Sequence, residues 1–450
     1  MTNPLPPVDP TAVEATEADL LIHSAAQLLT LAGGPQRGSR LGELGLIEHG
    51  ALAVREGRIT AVGSTEELRR TVRARREIDA SGQVVLPGFV DPHTHLVWAG
   101  DRAREFEQRL QGKTYMEILQ GGGGILSTVR QTRDATSQSL ATSALLRLLR
   151  MAAHGTTTVE GKTGYGLAWE PELRMLKVML ELDESGPLAV VPTFLPAHAV
   201  PPEFAGLVDR YVALITREML PALHAWWGKH AGGRPLPFVD VFCERGAFDL
   251  AQTRTILTSA ASLEFPLKVH VDEFASLGGV PMAVELGAVS VDHLVHTPPD
   301  HLRQLAASST VGVALPCTPF GLGEIAYAPA RALLEADGLL ALASDLNPGT
   351  AWCESMQFVI ALACRAMRLT PAEAIAACTI NAAAAIGRAG SLGSIEPGKQ
   401  ADLLLLNGPD YRHLGYRFGA NLVHTVIKRG QVYPIHHPAY VRSKGLSKKL

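Results

Sequence analysis

The sequence predicts an α/β fold: a TIM-like (β/α)8 barrel with a small composite β-sandwich domain formed by the N- and C-terminal segments. Three observations lead to this prediction. Eight short apolar segments, each followed by a longer helical pattern, lie in series across the middle of the chain. Shorter strand-like segments flank them on both sides. Hydrophobic residues make up 46% of the 450 residues and charged residues 19%, so a large core can be buried.

The flanking segments account for the composite domain. The motif ALAVREGRITAVG (51–63) alternates apolar and polar residues around Glu56-Gly57, which predicts a hairpin. GSIEPGKQADLLLLN (393–407) and VHTVIKRGQVYP (423–434) are also typical of strands. The expected division is a flexible N-terminal tail (1–18), the first segment of the β-sandwich (19–86), the barrel (87–390), the second segment of the β-sandwich (391–440) and a basic C-terminal tail (441–450).

The barrel strands are the eight apolar segments. They are GFVDPHTH (88–95), GTTTVEGK (155–162), LAVVPTFL (188–195), PFVDVFCE (237–244), LKVHVDEF (267–274), AVSVDHL (288–294), VGVALP (311–316) and LLALASD (339–345). Strands covered on both faces are mostly apolar, as these are. In such barrels the carboxyl ends of the strands carry the chemistry. After the last strand, LTPAEAIAACTINAAAAIG (369–387) predicts one helix, with Thr370 as N-cap, Pro371 at N1 and Glu373 completing a capping box.

Composition excludes several classes of function. The net charge of −3 gives no basic surface of the kind that binds nucleic acid. No apolar run is long enough for a membrane span, and the N-terminus lacks the pattern of a signal peptide. Five cysteines without a C-x-x-C pair argue against a disulfide framework and a structural zinc site. We therefore expect a cytoplasmic protein with neither a membrane nor a nucleic acid as partner. The run Gly121–Gly124 predicts a mobile loop near the barrel mouth.

Two histidines in the first barrel strand are the strongest candidates for chemistry. His93 and His95 lie two residues apart, so on a strand both imidazoles point to the same side. His270, His293 and Asp345 follow at the ends of the fifth, sixth and eighth strands, and all these ends converge on one mouth. Imidazole and carboxylate ligands with one open position suit a metal that activates water. The alternative is a set of hydrogen-bonded polar residues at strand ends.

Longer motifs extend this pattern. They are HTHLVWAGDRAREFEQRLQG (93–112), GKTGYGL (161–167), PAHAVPPEF (196–204), VDVFCERGAF (239–248), KVHVDEF (268–274), ELGAVSVDHL (285–294), SDLNPGT (344–350) and GSIEPGKQADL (393–403). In these motifs the sequence resembles the amidohydrolase superfamily, and within it the imidazolonepropionase family. The resemblance covers most of the chain. It implies the barrel with a composite β domain, and often a homodimer. The implied activity is hydrolytic ring opening of 4-imidazolone-5-propanoate to N-formimidoyl-L-glutamate in histidine degradation.

The resemblance also implies a metal site. It assigns one divalent metal per subunit, Zn²⁺ or iron, to His93, His95, His270 and Asp345, with Asp345 also acting in catalysis. Glu273, in the family's H-x-x-E pattern, would hold the substrate ring and carry protons, although a carboxylate at a helix start is the simpler alternative. His293 would stabilise charge on the attacked carbonyl oxygen, unless it is only bonded to the backbone.

The resemblance also implies which residues contact the substrate. Arg102 offers the bidentate geometry that a propionate tail needs, and its alternative is a surface ion pair with Asp101 or Glu105. The remaining assigned contacts are Tyr165, His198, Glu273, Asn347, Gly349 and Thr350.

Some features leave other interpretations open. Binuclear amidohydrolases use a carboxylated lysine to bridge two metals. The motif VEGKTGYG (159–166) places Lys162 near the end of the fourth strand, where such a lysine would lie, but we interpret Lys162 as structural or electrostatic. Departures from the family pattern occur at Gly161, Thr163, Pro196 and Cys317.

One alternative function is that of another amidohydrolase, such as an aminohydrolase acting on a purine ring. Another is a non-catalytic binding protein on the same barrel.

Overall fold

The computed structural model describes residues 16–113, 117 and 123–434. The strands are β1 Thr16–Leu29, β2 Leu46–Arg55, β3 Arg58–Ser64, β4 Val72–Asp79, β5 Gln83–Pro87, β6 Phe89–Asp91, β7 Thr156–Lys162, β8 Ala189–Ala197, β9 Phe238–Cys243, β10 Lys268–Val271, β11 Ser290–His293, β12 Val311–Ala314, β13 Leu340–Leu342, β14 Leu403–Asn407, β15 Val423–Lys428 and β16 Gln431–Tyr433. The expected C-terminal tail and most of the N-terminal one lie outside the described residues, as do Gly121 and Gly122 of the predicted loop. However, β1 begins within the segment expected as a tail, because residues from Thr16 onward pair with β4.

Helices connect these strands. They are α1 Thr65–Thr71, α2 Ala103–Leu110, α3 Ile125–Asp134, α4 Ser137–Ala153, α5 Trp169–Ser185, α6 Val208–Leu214, α7 Leu220–His230, α8 Leu250–Ser262, α9 Gly279–Glu285, α10 Pro299–Ala306, α11 Cys317–Leu322, α12 Ala330–Glu335, α13 Met356–Ala366, α14 Pro371–Ala377, α15 Ile380–Ala385 and α16 His413–Tyr416. A π-helical turn, Ile215–Met219, joins α6 to α7. None of the helices in the described ranges is long and apolar enough to cross a membrane.

The barrel prediction is confirmed. Strands β6 to β13 form one parallel sheet in chain order. The sheet closes beyond β6 and β13, where Thr94 bridges Leu346. There His95 N donates to Leu346 O at 2.9 Å, and Asp345 N donates to His93 O at 3.1 Å. This closure brings the H-x-H histidines of the first strand beside the aspartate that follows the last strand.

The composite β domain is also confirmed. Its sheet has the order β16-β15-β14-β5-β1-β2-β3, so strands from both ends of the chain share it, and β4 also pairs with β1. A bulge between Ile22 and Ala25 divides β1: its first half pairs with β4 and its second half with β5. Side chains from both ends of the chain, including Ile22, Leu52 and Leu403, form one buried core. The predicted hairpin turns at Glu56-Gly57, where both residues have positive φ.

The prediction of one continuous helix over 369–387 is wrong in one respect. Its start has the predicted capping box, with Thr370 accepting from Glu373 N and Glu373 accepting from Thr370 N. The segment divides into α14 and α15, however, because Thr379 leaves the helical conformation. The Thr379 hydroxyl donates to the Ile375 carbonyl, the acceptor that its own N–H would use in a continuous helix.

Candidate metal centre and active site

The histidines and the aspartate predicted from the strand ends meet at one buried point. His93 Nε2 lies 3.5 Å and His95 Nε2 3.6 Å from Asp345 Oδ1. His270 Nε2 lies 3.5 Å from His95 Nε2. Ligand atoms of His93, His95 and His270 lie within 4.8 Å of one another, and so do those of His93, His293 and Asp345. The two triplets share His93, so one ion at their junction would be in reach of both.

The donor atoms at this point fit a divalent cation. Within the described ranges, His93 Nε2 and Asp345 Oδ1 are buried without a hydrogen-bond partner. Buried polar atoms are nearly always hydrogen-bonded, so unpaired atoms converging on one point need an explanation. His95 Nε2 and His270 Nε2 also face each other closely. Three imidazole nitrogens and a carboxylate oxygen are the ligands that Zn²⁺ and iron accept, and an ion would satisfy them all.

Two aspartates that the sequence analysis missed orient the histidines. His93 Nδ1 donates to Asp292 Oδ2 at 2.7 Å, whereas His270 Nδ1 lies 2.9 Å from Asp240 Oδ2, an ion-pair distance without hydrogen-bond geometry. A carboxylate at Nδ1 fixes the tautomer that leaves the Nε2 lone pair free for a metal. Both aspartates are fully buried in barrel strands. The sequence signal that could have identified them is an acidic residue within an apolar strand: Asp240 in VDVFC and Asp292 in VSVDH.

Burial sets the protonation state of these ligands. It lowers the pKa of His93, His95 and His270 well below the usual histidine value, and nearby positive charge adds to the effect. The rings are therefore neutral near pH 7, as ligands must be. Burial also raises the pKa of Asp345 to about 7, although Thr318 Oγ1 donates to Asp345 Oδ2 at 2.5 Å.

Glu273 and His293 lie beside this cluster. Glu273 Oε2 is 3.7 Å from His293 Nε2, and burial raises the pKa of the Glu273 carboxyl well above its usual range. The loop that carries Glu273 is held by Glu244 Oε2, which accepts from Phe274 N at 2.9 Å. His293 has a φ of 86°, and its Nδ1 has no partner among the residues that the structure describes. Strained backbone of this kind is concentrated at functional sites.

Arg102 lies at the start of α2, at the edge of a cavity of about 720 Å³. Phe106, Arg109 and Trp352 also line this cavity. The two carboxylates considered as alternative partners bond to backbone instead: Asp101 accepts from Ala103 N and Glu105 from Gly124 N. As far as the structure describes the chain, Arg102 forms no ion pair with either of them.

Tyr165 and His198 form a wall beside the histidine–aspartate cluster. The His198 ring stacks on His95, with centroids 4.6 Å apart and planes 12° from parallel. The Tyr165 ring lies 5.7 Å from His95 and 5.3 Å from His198. Burial lowers the pKa of His198 to about 4, so this ring is neutral near pH 7.

Asn347 shapes the loop after Asp345 rather than facing outward. Its Oδ1 accepts from Gly349 N and Thr350 N, both at 2.8 Å, and its Nδ2 donates to Asp345 O at 2.7 Å. Its hydrogen bonds fold the loop back on Asp345. Gly349 thereby comes against the Arg102 guanidinium, where a β-carbon would overlap it.

Lys162 ends the second barrel strand, not the fourth. Its Nζ donates to Glu160 Oε1 at 2.7 Å and to Asp240 Oδ2 at 2.8 Å, and lies 3.6 Å from Asp292 Oδ2. Burial alone would lower the pKa of Lys162, but these three carboxylates raise it. A carboxylated, anionic lysine would be repelled by the same three groups. The arrangement therefore favours an electrostatic role over a bridge between two metals.

Three of the four departures from the family pattern have identified surroundings in the structure. Thr163 Oγ1 accepts from Leu195 N at 2.8 Å, and the Pro196 carbonyl accepts from Tyr211 OH at 2.9 Å. Cys317 lines the cavity beside Arg102.

A closed parallel barrel with this histidine–aspartate cluster defines the class of the protein as amidohydrolase. Models of the amidohydrolase family match residues 258–433 and 76–120. A zinc-bound adenosine deaminase from Xanthomonas campestris superposes with a TM-score of 0.67 at 20% identity, covering 93% of each chain. A mutant atrazine chlorohydrolase from Arthrobacter aurescens, complexed with zinc and atraton, gives 0.74 at 16% identity, covering 95% of this chain and 99% of that one. At these identities the likeness shows the fold alone.

Closer relatives define the family. A model of the imidazolonepropionase-like composite domain of bacteria matches residues 50–71. Imidazolonepropionase of Herpetosiphon aurantiacus is 52% identical over 92% of this chain and 97% of its own. That of Chloroflexus aggregans is 54% identical over 92% and 98%. The chain belongs to the imidazolonepropionase family, and it is accordingly a hydrolase acting on a cyclic amide.

Proposed function

We propose that this protein opens the ring of 4-imidazolone-5-propanoate by metal-dependent hydrolysis, giving N-formimidoyl-L-glutamate in histidine degradation. The observation that carries this proposal is the convergence of His93, His95, His270 and Asp345 on one buried point. The loop after Asp345 reaches the cavity at Arg102, which Gly349 and Thr350 line. The imidazolonepropionases at 42–54% identity support the substrate.

His93, His95 and His270 would hold the metal through Nε2, and Asp345 through Oδ1. Both His93 Nε2 and His95 Nε2 lie 3.5–3.6 Å from Asp345 Oδ1, and His270 Nε2 lies 3.5 Å from His95 Nε2. When bound, the metal supplies a water that is nucleophilic at neutral pH. Zn²⁺ and iron remain the two candidates, one ion per subunit, because imidazole and carboxylate ligands suit both. Metal analysis of the protein purified from cells would distinguish them.

Glu273 and His293 would handle protons and charge. Water oxygen adds to the ring carbonyl carbon, and the ring amide C–N bond breaks. Glu273, with its raised pKa, takes a proton from the water and returns one to the departing nitrogen. The His293 ring, 3.7 Å from Glu273, faces the same point and would stabilise charge on the carbonyl oxygen.

The remaining assigned residues would orient the substrate. Arg102 would bind the propionate tail, since a guanidinium matches a carboxylate in two parallel hydrogen bonds. Tyr165 and His198 would contact the ring from the wall beside His95. The contacts assigned to Asn347, Gly349 and Thr350 would come from the loop that folds back on Asp345.

The test is a direct assay. Metal-loaded protein is incubated with freshly prepared 4-imidazolone-5-propanoate, and loss of its ultraviolet absorption is followed. We expect turnover in the wild type and none in His93→Ala, which should also lose metal. Arg102→Ala should raise KM for this acidic substrate far more than for a neutral analogue. An inactive wild type with its full metal content would rule out the substrate.

We also propose a cytoplasmic homodimer, in which segments 19–86 and 391–440 form one domain beside the barrel of residues 87–390. The composition and the resemblance to the family support these points. Light scattering on the purified protein would test the dimer, because a monomer has a mass of 48.0 kDa.

A further inference from the structure

Lys162 is a fully buried ammonium inside the barrel that the proposed reaction does not use. It lies among three carboxylates from three strands: Glu160 on β7, Asp240 on β9 and Asp292 on β11. Removing an ammonium from water is costly unless charged partners compensate for its lost hydration. The three carboxylates supply that compensation, so Lys162 is held firmly at this position.

Two of these carboxylates are the ones that contact metal ligands. Asp240 Oδ2 lies 2.8 Å from Lys162 Nζ and 2.9 Å from His270 Nδ1. Asp292 Oδ2 lies 2.7 Å from His93 Nδ1 and 3.6 Å from Lys162 Nζ. Polar contacts therefore run without a break from His270 through Asp240, Lys162 and Asp292 to His93, and we call this series the lysine-centred chain. It joins two ligands that are far apart in sequence.

The second carboxylate oxygen of each aspartate, Oδ1, is also held by a hydrogen bond. Asp240 Oδ1 accepts from His270 N at 3.2 Å, and Asp292 Oδ1 accepts from the Ser290 hydroxyl at 2.6 Å. Each carboxylate is thus held on one side by its own sheet. In Asp240 the oxygen near the histidine is the one that Lys162 hydrogen-bonds, so loss of the ammonium would free it. Asp292 Oδ2 has two ammonium groups at 3.6 Å, those of Lys162 and Lys268.

Building on the proposed metal centre, we propose that Lys162 is a positioning residue for it. Lys162 acts mainly through Asp240, which it hydrogen-bonds, and so keeps the His270 ring turned with Nε2 toward the ion. Its charge also acts on Asp292, which holds the His93 ring. It binds neither the metal nor the substrate. Groups that orient metal ligands typically change metal affinity about 10- to 100-fold when altered.

The second buried lysine of the barrel, Lys268, has a different arrangement. Its Nζ also lies 3.6 Å from Asp292 Oδ2, but its hydrogen bonds go to the carbonyls of Pro92 and Ala385 at 3.3 and 3.2 Å. These bonds tie the strand to neighbouring backbone. Lys162, in contrast, hydrogen-bonds directly to a carboxylate that contacts a ligand.

The experiment compares Lys162→Met with Lys428→Met. Lys428 is a buried lysine in the composite β domain, paired with Asp402 at 2.6 Å. Its loss takes the ammonium away from a buried carboxylate without touching the metal centre. Co²⁺ affinity of the metal-free proteins is measured by competition with a chelating dye. The visible absorption of bound Co²⁺ reports the ligand geometry.

We expect Lys162→Met to weaken Co²⁺ binding about 10- to 100-fold and to change the spectrum. Lys428→Met should lower thermal stability while leaving affinity and spectrum at wild-type values. A folded Lys162→Met protein with wild-type affinity and spectrum would overturn the inference.

A second variant covers the case in which Lys162→Met does not fold. Asp240→Asn breaks the same chain with little change of shape, and about a tenfold loss of Co²⁺ affinity is expected. Wild-type affinity in Asp240→Asn would also overturn the inference, because Lys162 is proposed to act through Asp240. If the wild type itself binds no Co²⁺, both the proposed metal-dependent function and this inference fail. Normal Co²⁺ binding in the variants is a different outcome, because it would overturn only this inference.

Discussion

Gly349 packs directly against the guanidinium of Arg102, and a β-carbon at Gly349 would overlap that group. Asn347 fixes the loop from within by accepting from Gly349 N. Arg109 Nη2 also donates to Gly349 O at 3.3 Å. The position of Arg102, which is proposed to bind the substrate tail, therefore depends on Gly349 having no side chain.

We predict that Gly349→Ala displaces Arg102 and weakens binding of an acidic substrate. KM should rise about tenfold, equivalent to about 1.4 kcal/mol, with kcat changed much less. The reason is that the tail is held equally in the ground state and the transition state. Steady-state kinetics would measure this. Gly390→Ala is the matched control, because no atom lies within 4 Å of a β-carbon there. Equal kinetics in the two variants would contradict the prediction.

Glu273→Gln should lower kcat without removing the metal. The amide is nearly isosteric but cannot carry a proton, and positioned proton carriers contribute about 10²–10⁴-fold to rate. We expect at least a hundredfold loss of kcat at unchanged metal content, measured on the same preparation. Glu264→Gln changes an exposed glutamate just after α8 and should behave as the wild type. If Glu273→Gln retains wild-type kcat, Glu273 is not the proton carrier.

Much of the site could be predicted because its signals are local. The two-residue spacing of His93 and His95 and the position of Asp345 after an apolar strand are both visible in short windows of sequence. Once a barrel is assumed, the strand ends must converge, so proximity follows from topology. The same reasoning placed His270 in the fifth barrel strand, as the structure has it.

The partners of these residues could not be predicted in the same way. Asp292 contacts His93 across 199 positions of sequence, and no local pattern specifies that pairing. Lys162 was compared with a fourth-strand position, although it ends the second strand, because a motif gives residue type but not surroundings. The break at Thr379 was missed because its hydroxyl competes with the helix only when it turns toward the Ile375 carbonyl.

Metal binding should stabilise the folded protein. In the metal-free state His93 Nε2 and Asp345 Oδ1 are buried and, among the described residues, unpaired. A ligand that binds only the folded state at 100 times its Kd adds about 2.7 kcal/mol to the free energy of unfolding. We therefore expect Tm to rise when Zn²⁺ is added to protein treated with a chelator, measured by calorimetry.

The same measurement on His270→Ala should show little or no rise in Tm, because a ligand is missing. His424→Ala, an exposed histidine on β15, should keep the full response. A full response in His270→Ala would show that Zn²⁺ stabilises the protein from another site.

Thr370→Ala should loosen the start of α14. The Thr370 hydroxyl accepts from Glu373 N at 3.2 Å, and Glu373, also paired with Arg331 at 2.6 Å, accepts from Thr370 N. Loss of an N-cap typically costs about 1 kcal/mol, so amide exchange there should quicken about fivefold. Hydrogen-exchange mass spectrometry would measure it. Thr370→Ser keeps the hydroxyl and should exchange as the wild type does; equal acceleration in both variants would mean that the hydroxyl does not cap the helix.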